Sequence, residues 1–447
     1  MNHAELIRSL EQPSSSDHGY AMDLLQSLPC IDQADVLAGL PVEQGMHLLQ
    51  QLKRPAEVFS YLPLGVQVRW AQQLSRQESI RLISKMPSDR RVDLVKLLSP
   101  EEHAALLPGL AQAERDDIRS LASYGEETAG ALMSSDYATL YADMSVAEAI
   151  QALRLEAPDA ETIYQAYVID EKRRLQGVVS LRDLILAEPR TPIKELMVRH
   201  VISATVDDDQ EQVAKLLSRY DLLALPICDH EGRLVGIVTY DDAMDVVHEE
   251  ATEDIHKGAG VATSIGRFKE ASITLLYRKR VFWLVLLVFG NLLSGISIAA
   301  FEDIIAANLV LVFFLPLLVG SSGNAGSQSA TLMVRALATG DVVMRDWFRL
   351  LGREALVALL LGSTMAFAVS ILGWYRGGPE VALVLTLSMI VTVLLGCLIG
   401  MSLPFILSRF KLDPASASAP LITSLCDAMG VLIYLLIASS ILDLTGL

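Results

Sequence analysis

Apolar positions fall into three regimes along the chain. Over residues 1–125 they recur at helical spacing in short units such as "MDLLQSLPCIDQADVLAGLP" and "AEVFSYLPLGVQVRWAQQLS", where Leu-Pro separates one amphipathic segment from the next. Strand-type alternation is missing there, so the pattern predicts an α-helical superhelical domain, a stack of short helices suited to interaction or sensing. Over residues 131–250 amphipathic helices alternate with extended apolar runs, the mark of an α/β region. From Val281 onward come five long apolar stretches, read as 281–301, 304–323, 354–374, 380–407 and 416–442. Each matches the roughly 20 residues that a helix needs to cross a bilayer.

The middle region repeats itself. Its halves begin at Met133 and Met197 and run through a helix, an extended stretch ("YQAYVID", "ALPICD"), a turn ("EKRRLQG", "HEGRLVG") and a strand entering a helix. The closing strands, "GVVSLRDL" from Gly177 and "GIVTYDDA" from Gly236, place Ser180 and Thr239 at the same point, 59 residues apart, with Asp183 and Asp242 three residues on. A hydroxyl and a carboxylate at a strand-to-helix turn can cap the helix, and they can also receive a ligand at its N-terminus. Both readings stay open from the sequence.

Composition and charge sharpen the division. With 52% hydrophobic residues and a mean hydropathy of +0.39, the chain is too apolar for an ordinary soluble protein of its length. Of the net charge of -17, none resides in the apolar third: residues 271–447 carry 10 basic and 9 acidic side chains, leaving 26 and 44 in residues 1–270. An acidic domain repels a polyanion, so nucleic acid is excluded as a partner and cations are favoured. Nine basic residues flank the apolar stretches on one side (Arg278, Lys279, Arg280, Arg335, Arg345, Arg349, Arg353, Arg409 and Lys411), against Arg376 alone on the other. The positive-inside rule then puts the N-terminal part in the cytoplasm and, after five spans, the C-terminus outside a bacterial-type cytoplasmic membrane. The four cysteines show no ligand spacing and suit a reducing cytosol, and the N-terminus carries no signal-peptide pattern.

Three segments carry candidate chemistry. "YDDAMDVVHEEATEDIHKGAGV" sets Asp242, Asp245, Glu249 and Glu253 at spacings of 3, 4 and 4, one acidic stripe on a helix. Such a stripe either faces solvent or calls for a cation. "PLLVGSSGNAGSQSATLMVRALATGD", from Pro316, is rich in small residues that permit an irregular backbone or close helix approach. The fifth stretch holds Asp427 about eleven residues from its start at Ser416. A charge at mid-membrane costs roughly 2.5–3.5 kcal/mol on insertion scales, and no basic residue lies in any span to pair with it, so Asp427 reads as part of a cation path.

In this order the helical stack, the paired repeats, the acidic helix, the five spans, "GNAGSQSATLMVRALATGD" and "APLITSLCDAMGVLIYL" resemble the MgtE family of magnesium channels along essentially the whole chain, as do "YGEETAGALM" and "EEATEDIHK". The paired repeats resemble tandem cystathionine-β-synthase-type (CBS) domains. The resemblance implies a multidomain membrane protein: a helical N-terminal regulatory domain over 1–130, tandem α/β CBS domains over 131–250, a connecting (plug) helix over 251–280 and a five-span pore domain over 281–447. It implies a homodimer in the lipid membrane with its pore on the two-fold axis. Asp427 would attract hydrated Mg2+ there, with backbone oxygens near Gly320, Gly323 and Asn324. Regulatory Mg2+ ligands carry over onto Asp89, Asp93, Asp209, Glu211, Asp221, Asp242, Asp245, Glu250, Glu253 and Asp413. ATP or another adenine nucleotide at Ser180, Arg182 and Asp183 is the cofactor the CBS resemblance suggests, beside Mg2+ as cargo and regulator. Two departures bear on these sites: Ser322 stands where many members have glycine, and Arg90 and Arg91 lie between Asp89 and Asp93.

Enzymatic activity is not expected. A carboxylate protease needs a second aspartate to share a proton, and neither HExxH nor a GxxxxGK[ST] phosphate loop occurs. A secondary transporter of Mg2+ or Co2+ using Asp427 as its coupling site, and a nonconducting membrane sensor, are the other readings.

Overall fold

A computed structural model describes residues 3–11, 18–157, 160–261 and 271–445. It divides into two compact units, Met1–Val247 and His248–Leu447.

The first unit opens with ten short helices: α1 (His3–Glu11), α2 (His18–Ser27), α3 (Cys30–Ala38), α4 (Val42–Gln51), α5 (Pro55–Tyr61), α6 (Leu64–Gln73), α7 (Arg76–Ile83), α8 (Ser88–Leu97), α9 (Pro100–Leu106) and α10 (Gln112–Leu121). The recurring Leu-Pro explains their length. Pro29, Pro41, Pro63 and Pro87 each sit at a helix N-cap with extended ψ between 136° and 151°. Lacking an N–H, a proline cannot continue the preceding helix, yet its carbonyl accepts the first bond of the next, as Pro87 O does from Arg91 N at 2.9 Å. Ser75 and Ser99 start α7 and α9 with capping boxes closed by Glu78 and Glu102. The inward faces meet in a core that includes Leu37, Phe59, Trp70, Ile83 and Leu94 and runs on into the second repeat through Val213, Leu225 and Val238.

After α11 (Ala129–Leu132) the two repeats fold alike. The first holds β1 (Tyr137–Tyr141), α12 (Val146–Glu156), β2 (Thr162–Ile169), β3 (Leu175–Ser180), α13 (Leu181–Leu186) and α14 (Ile193–Leu196). The second holds β4 (Ala204–Thr205), α15 (Gln210–Arg219), β5 (Ala224–Cys228), β6 (Leu234–Thr239) and the start of α16 (Tyr240–Gly258). Each forms a three-stranded sheet with one parallel and one antiparallel pair. The repeats exchange their leading segments: Ser134 bridges Ile237 of the second sheet, and Val198 bridges Val178 of the first. Here the sequence marks acquire a cause. A methyl group on Gly177 would stand 2.9 Å from Met197 Sδ, and one on Gly236 would overlap Met133, so each repeat's opening methionine requires the other repeat's glycine.

The second unit begins within α16. It continues with α17 (Ile273–Ala300), α18 (Glu302–Ala307), α19 (Val310–Ala338), α20 (Trp347–Arg409) and α21 (Ala419–Thr445). Four of these helical runs, α17, α19, α20 with the short turn before it, and α21, are long and apolar enough to cross a membrane. α20 is two helices joined across a kink, since Gly378 has φ 81° and ψ -174° and Pro379 after it has no N–H to donate. The halves fold back on one another there: a methyl on Gly373 would lie 3.2 Å from Ala382 Cα, and one on Gly362 would lie 3.1 Å from Ile390 Cα.

Boundaries differ from the sequence reading at two places. The connecting helix expected over 251–280 begins as the tail of α16, which runs from Tyr240 to Gly258; residues 262–270 lie outside the described residues, and Ile273 opens α17. The stretch read as 304–323 is two helices, because α18 ends at Ala307 and α19 runs from Val310 through the whole small-residue motif to Ala338. An irregular backbone is therefore not what those residues provide. They permit close packing.

Candidate functional site

α19 is the centre of the second unit because small residues line two of its sides. Gly326 lies where a methyl would stand 2.7 Å from Gly396 O on α20 and 3.0 Å from Cys426 Sγ on α21. No side chain fits between these backbones, so the three helices are locked in register. On the side toward α21, a methyl on Gly323 would lie 3.0 Å from Thr423 Cγ2 and 3.5 Å from Asp427 Oδ1. Gly323 and Asp427 are thus brought together. Asp427 Oδ1 is buried and has no hydrogen-bond partner, while Asn324 next to Gly323 is exposed and Gly320, one turn away, is half-buried. An unpartnered carboxylate oxygen against a bare glycine face can hold a cation or its hydration water.

Ser322 points elsewhere. Its hydroxyl is buried and donates to Thr392 O on α20 at 2.7 Å, so the departure from glycine tightens helix packing and leaves the Asp427 face to Gly323. Sequence reasoning missed two further polar contacts. Ser327 Oγ lies 3.3 Å from Thr423 Oγ1, one turn from Gly323 and from Asp427 on their respective helices. Ser329 donates to Glu354 Oε1 at 2.5 Å, a second carboxylate of this unit that the sequence placed at the edge of a span. The i±4 spacing on each helix could have flagged Ser327 and Thr423. Nothing local pairs Ser329 with a residue 25 positions on.

In the first unit a second acidic grouping forms around the start of α8. Burial, reinforced by Asp93 and opposed by Arg90, pushes the Asp89 carboxyl up to about 6, and Asp89 Oδ1 is buried without a hydrogen-bond partner. Burial and then the Asp89 charge raise Asp242 to about 6, although its carboxylate also accepts from the Thr239 hydroxyl. Glu161 rises to about 7 through desolvation of its carboxyl, then the charges of Asp89, Asp242, Asp136 and Asp241, although the residue as a whole stays exposed. The junction is held by Ser88, whose N–H donates to Asp136 Oδ2 at 3.0 Å and whose hydroxyl accepts from Ser135 N at 2.9 Å. Glu161 and Asp136 escaped the sequence reading because tertiary contact alone, not spacing, brings them to Asp89. Arg90 stacks on Tyr61, 4.7 Å from the ring centroid, and Arg91 donates to Met86 O at 2.8 Å, so Arg91 is structural and Arg90 the cation nearest the acids.

Other expected ligands are occupied locally. Asp209 caps α15 by accepting from Glu211 N at 2.8 Å, and Glu211 pairs with Lys215 at 2.8 Å. Asp221 lies beyond the far end of α15 in a left-handed conformation, φ 51°. A ten-residue helix spans roughly 15 Å, so Asp209 and Asp221 of one chain cannot meet on one ion. Asp93 and Asp245 are exposed and Glu250 is half-buried on its helix. The acidic stripe also has a counterion that its sequence did not suggest: Lys257 reaches Glu253 at 2.7 Å and Asp413 at 2.6 Å. Among the described residues, no group of three or more His, Cys, Asp or Glu side chains is arranged to hold a metal by itself. A cation near Asp89, Asp242 and Glu161 would relieve the burial and like charge that raise their carboxyls. Ser180 Oγ accepts from Asp183 N at 3.1 Å and donates to Asp183 Oδ2 at 2.6 Å, and Arg182 is exposed beside them. The geometry of that pair is a helix cap.

A helical stack, a pair of strand-exchanged repeats and a bundle of membrane-length helices packed round one unpartnered carboxylate define a membrane transport protein with a sensing domain. Residues 315–437 match the MgtE divalent cation transporter family, residues 28–127 the MgtE intracellular N domain, and residues 129–190 and 193–249 the CBS domain. The magnesium transporter MgtE of Thermus thermophilus is 45% identical over 329 residues, covering 74% of this chain and 73% of its own. That of Bacillus subtilis is 33% identical over 418 residues, covering 93% and 90%. Among solved structures, the cytosolic domain of the Mg2+ channel MgtE in complex with ATP aligns with a TM-score of 0.50 at 37% identity, over 54% of this chain and 99% of that one. The soluble part of a magnesium transporter aligns at 0.51 and 32%, over 56% and 100%. The chain belongs to the MgtE family.

Proposed function

We propose that this protein is a Mg2+ channel that admits magnesium across the cytoplasmic membrane and is closed by Mg2+ on the cytoplasmic side. The observation that carries the reading is Asp427 Oδ1, buried, without a partner and facing the bare backbone of Gly323. Mg2+ sheds water reluctantly and prefers octahedral oxygen ligation, so a carboxylate with hydroxyls and carbonyls nearby holds it through its water and still lets it leave. Asn324 and the half-buried Asp427 lie open on one chain, which supports a homodimer in which a second copy supplies the opposite wall. Five crossings follow if α20 counts as two at Gly378, with the N-terminus in the cytoplasm and the C-terminus outside.

The domains proposed are 1–130, 131–250, 251–280 and 281–447, with the third taken as the connection that transmits closure. Regulatory Mg2+ would bind where Asp89, Asp242 and Glu161 crowd one another, joining the helical stack to the second repeat; Asp93, Asp209, Glu211, Asp221, Asp245, Glu250, Glu253 and Asp413 would contribute where copies or segments meet. ATP would bind the first repeat by opening the Ser180–Asp183 cap. The ATP-bound relative, 37% identical, supports that reading.

Reconstitution in liposomes tests the proposal. Currents at the single-channel level in low Mg2+, falling as Mg2+ is added on the side of residues 1–250, are expected. Saturable, countercation-dependent uptake without unitary currents would favour the secondary transporter with Asp427 as its coupling site.

A further inference from the structure

The acidic tail of α16 is held by a cation of the chain's own. Lys257 Nζ lies 2.6 Å from Asp413 Oδ2 and 2.7 Å from Glu253 Oε1, and its side chain is 24% exposed. Asp413 divides its oxygens: Oδ1 accepts from Ala415 N at 2.8 Å, within the Pro414–Ser416 turn, and Oδ2 takes Lys257. That turn leads into α21, which carries Asp427. A second contact fixes the same juncture. Just past Lys257, Gly260 has φ 76°, and a methyl there would stand 2.5 Å from Trp283 Cδ1 and 3.4 Å from Pro420 Cγ, so the chain threads between α17 and the first turn of α21.

We propose that Lys257 is a tethered competitor of the regulatory divalent cation: it latches the α16 tail to the base of α21 when Mg2+ is scarce, and Mg2+ must displace it from Glu253 and Asp413 to bind there. This rests on the reading that cytoplasmic Mg2+ closes the channel. A Mg2+ ion bonded to these two carboxylates at roughly 2.0–2.1 Å would stand within about 4 Å of the ammonium, too close for both charges to remain. The exchange is isosteric in purpose, since either cation joins the same two segments. It differs in consequence, because Lys257 is tethered to the chain and reaches only these two carboxylates, whereas the metal can recruit further ones. Lys257 therefore raises the Mg2+ concentration needed for closure and keeps the juncture ordered without metal.

The test uses the full-length protein in liposomes and Lys257→Gln, with Lys257→Arg as the control that keeps the charge. The half-inhibiting Mg2+ concentration should fall about fivefold in the glutamine variant, the value of roughly one exposed-to-half-buried ion pair. Amide hydrogen exchange over residues 251–260, measured without Mg2+, should quicken several-fold. The arginine variant should stay near the parent in both. An unchanged or raised half-inhibiting concentration in Lys257→Gln, with a parent that is inhibited, overturns the latch alone. A parent that Mg2+ does not inhibit overturns both the latch and the closure it modulates, and unchanged exchange in the glutamine variant overturns the juncture's dependence on Lys257.

Discussion

The two units treat acidic side chains in opposite ways. In the first, burial raises the proton affinity of Asp89, Asp242 and Glu161, the Asp89 charge adds to that of Asp242, and both charges add to that of Glu161. In the second, Asp427 faces Gly323 with Thr423 one turn away, and among the described residues its Oδ1 has no partner. On the proposed function, such carboxylates repel until a cation sits between them and would act as a joint that closes on binding. A solitary carboxylate attracts an ion without trapping it, which suits passage. One residue type thus yields a switch or a conduit according to what packs beside it.

The comparison can be broken most severely at the helix contacts that isolate Asp427. Replacing Gly326 by Val forces a branched side chain against Gly396 O and Cys426 Sγ; overpacking costs about 1–3 kcal/mol where neighbours can shift, and here backbone cannot. Loss of the folded membrane unit, read as failure to purify as a monodisperse species, is expected, while an active Gly326→Val protein would refute the packing. Next in size comes the switch. Changing Asp242, Asp245, Glu250 and Glu253 together to amides should leave the channel open at Mg2+ concentrations that close the parent, with residues 1–250 still protease-sensitive, because amides replace charged Mg2+ ligands poorly. Unchanged inhibition and unchanged protection would make the stripe a solvated face.

A smaller effect separates crowding from ligation by pH. The folded-state carboxyls of Asp89, Asp242 and Glu161 are raised to about 6, 6 and 7, above their unfolded range near 4. Raised carboxyls favour the folded state when protonated, so without Mg2+ the first unit should lose stability as pH climbs from about 4 to 7. Thermal unfolding followed through buried Trp70 should show this slope, and Mg2+ should restore most of the loss at pH 7 but little at pH 5. A flat profile would mean the acids are not crowded. Smallest is Ser322→Ala, which removes one buried hydrogen bond to Thr392 O and should lower the membrane unit's stability by about 1 kcal/mol with flux retained. Abolished flux would place Ser322 on the ion path.

What could be read from the sequence was whatever leaves a periodic or repeated trace. The repeat from Met133 and Met197, the hydroxyl–carboxylate pairs at Ser180 and Thr239, the Leu-Pro helices and the apolar stretches all do. The small-residue motif around Gly323 and the lone acid Asp427 are each conspicuous. Contacts between distant positions left no such trace: Glu161 beside Asp89, Glu354 beside Ser329, and Lys257 bridging to Asp413 across 156 residues. Ser322, conspicuous as a departure, proved to face α20 because a helix turns about 100° per residue, so adjacent positions address different neighbours. The acidic stripe misled in one respect, since a basic residue four positions past Glu253 answers it.

On the proposed function, the unpartnered carboxylate of Asp427 carries the ion path. Mg2+ uptake into liposomes by Asp427→Asn, a change that keeps side-chain volume and removes only the charge, tests it most directly. The account predicts uptake near that of empty liposomes, with the variant still inserted and its first unit still protected from protease by Mg2+. Uptake close to the parent's in that variant would contradict it.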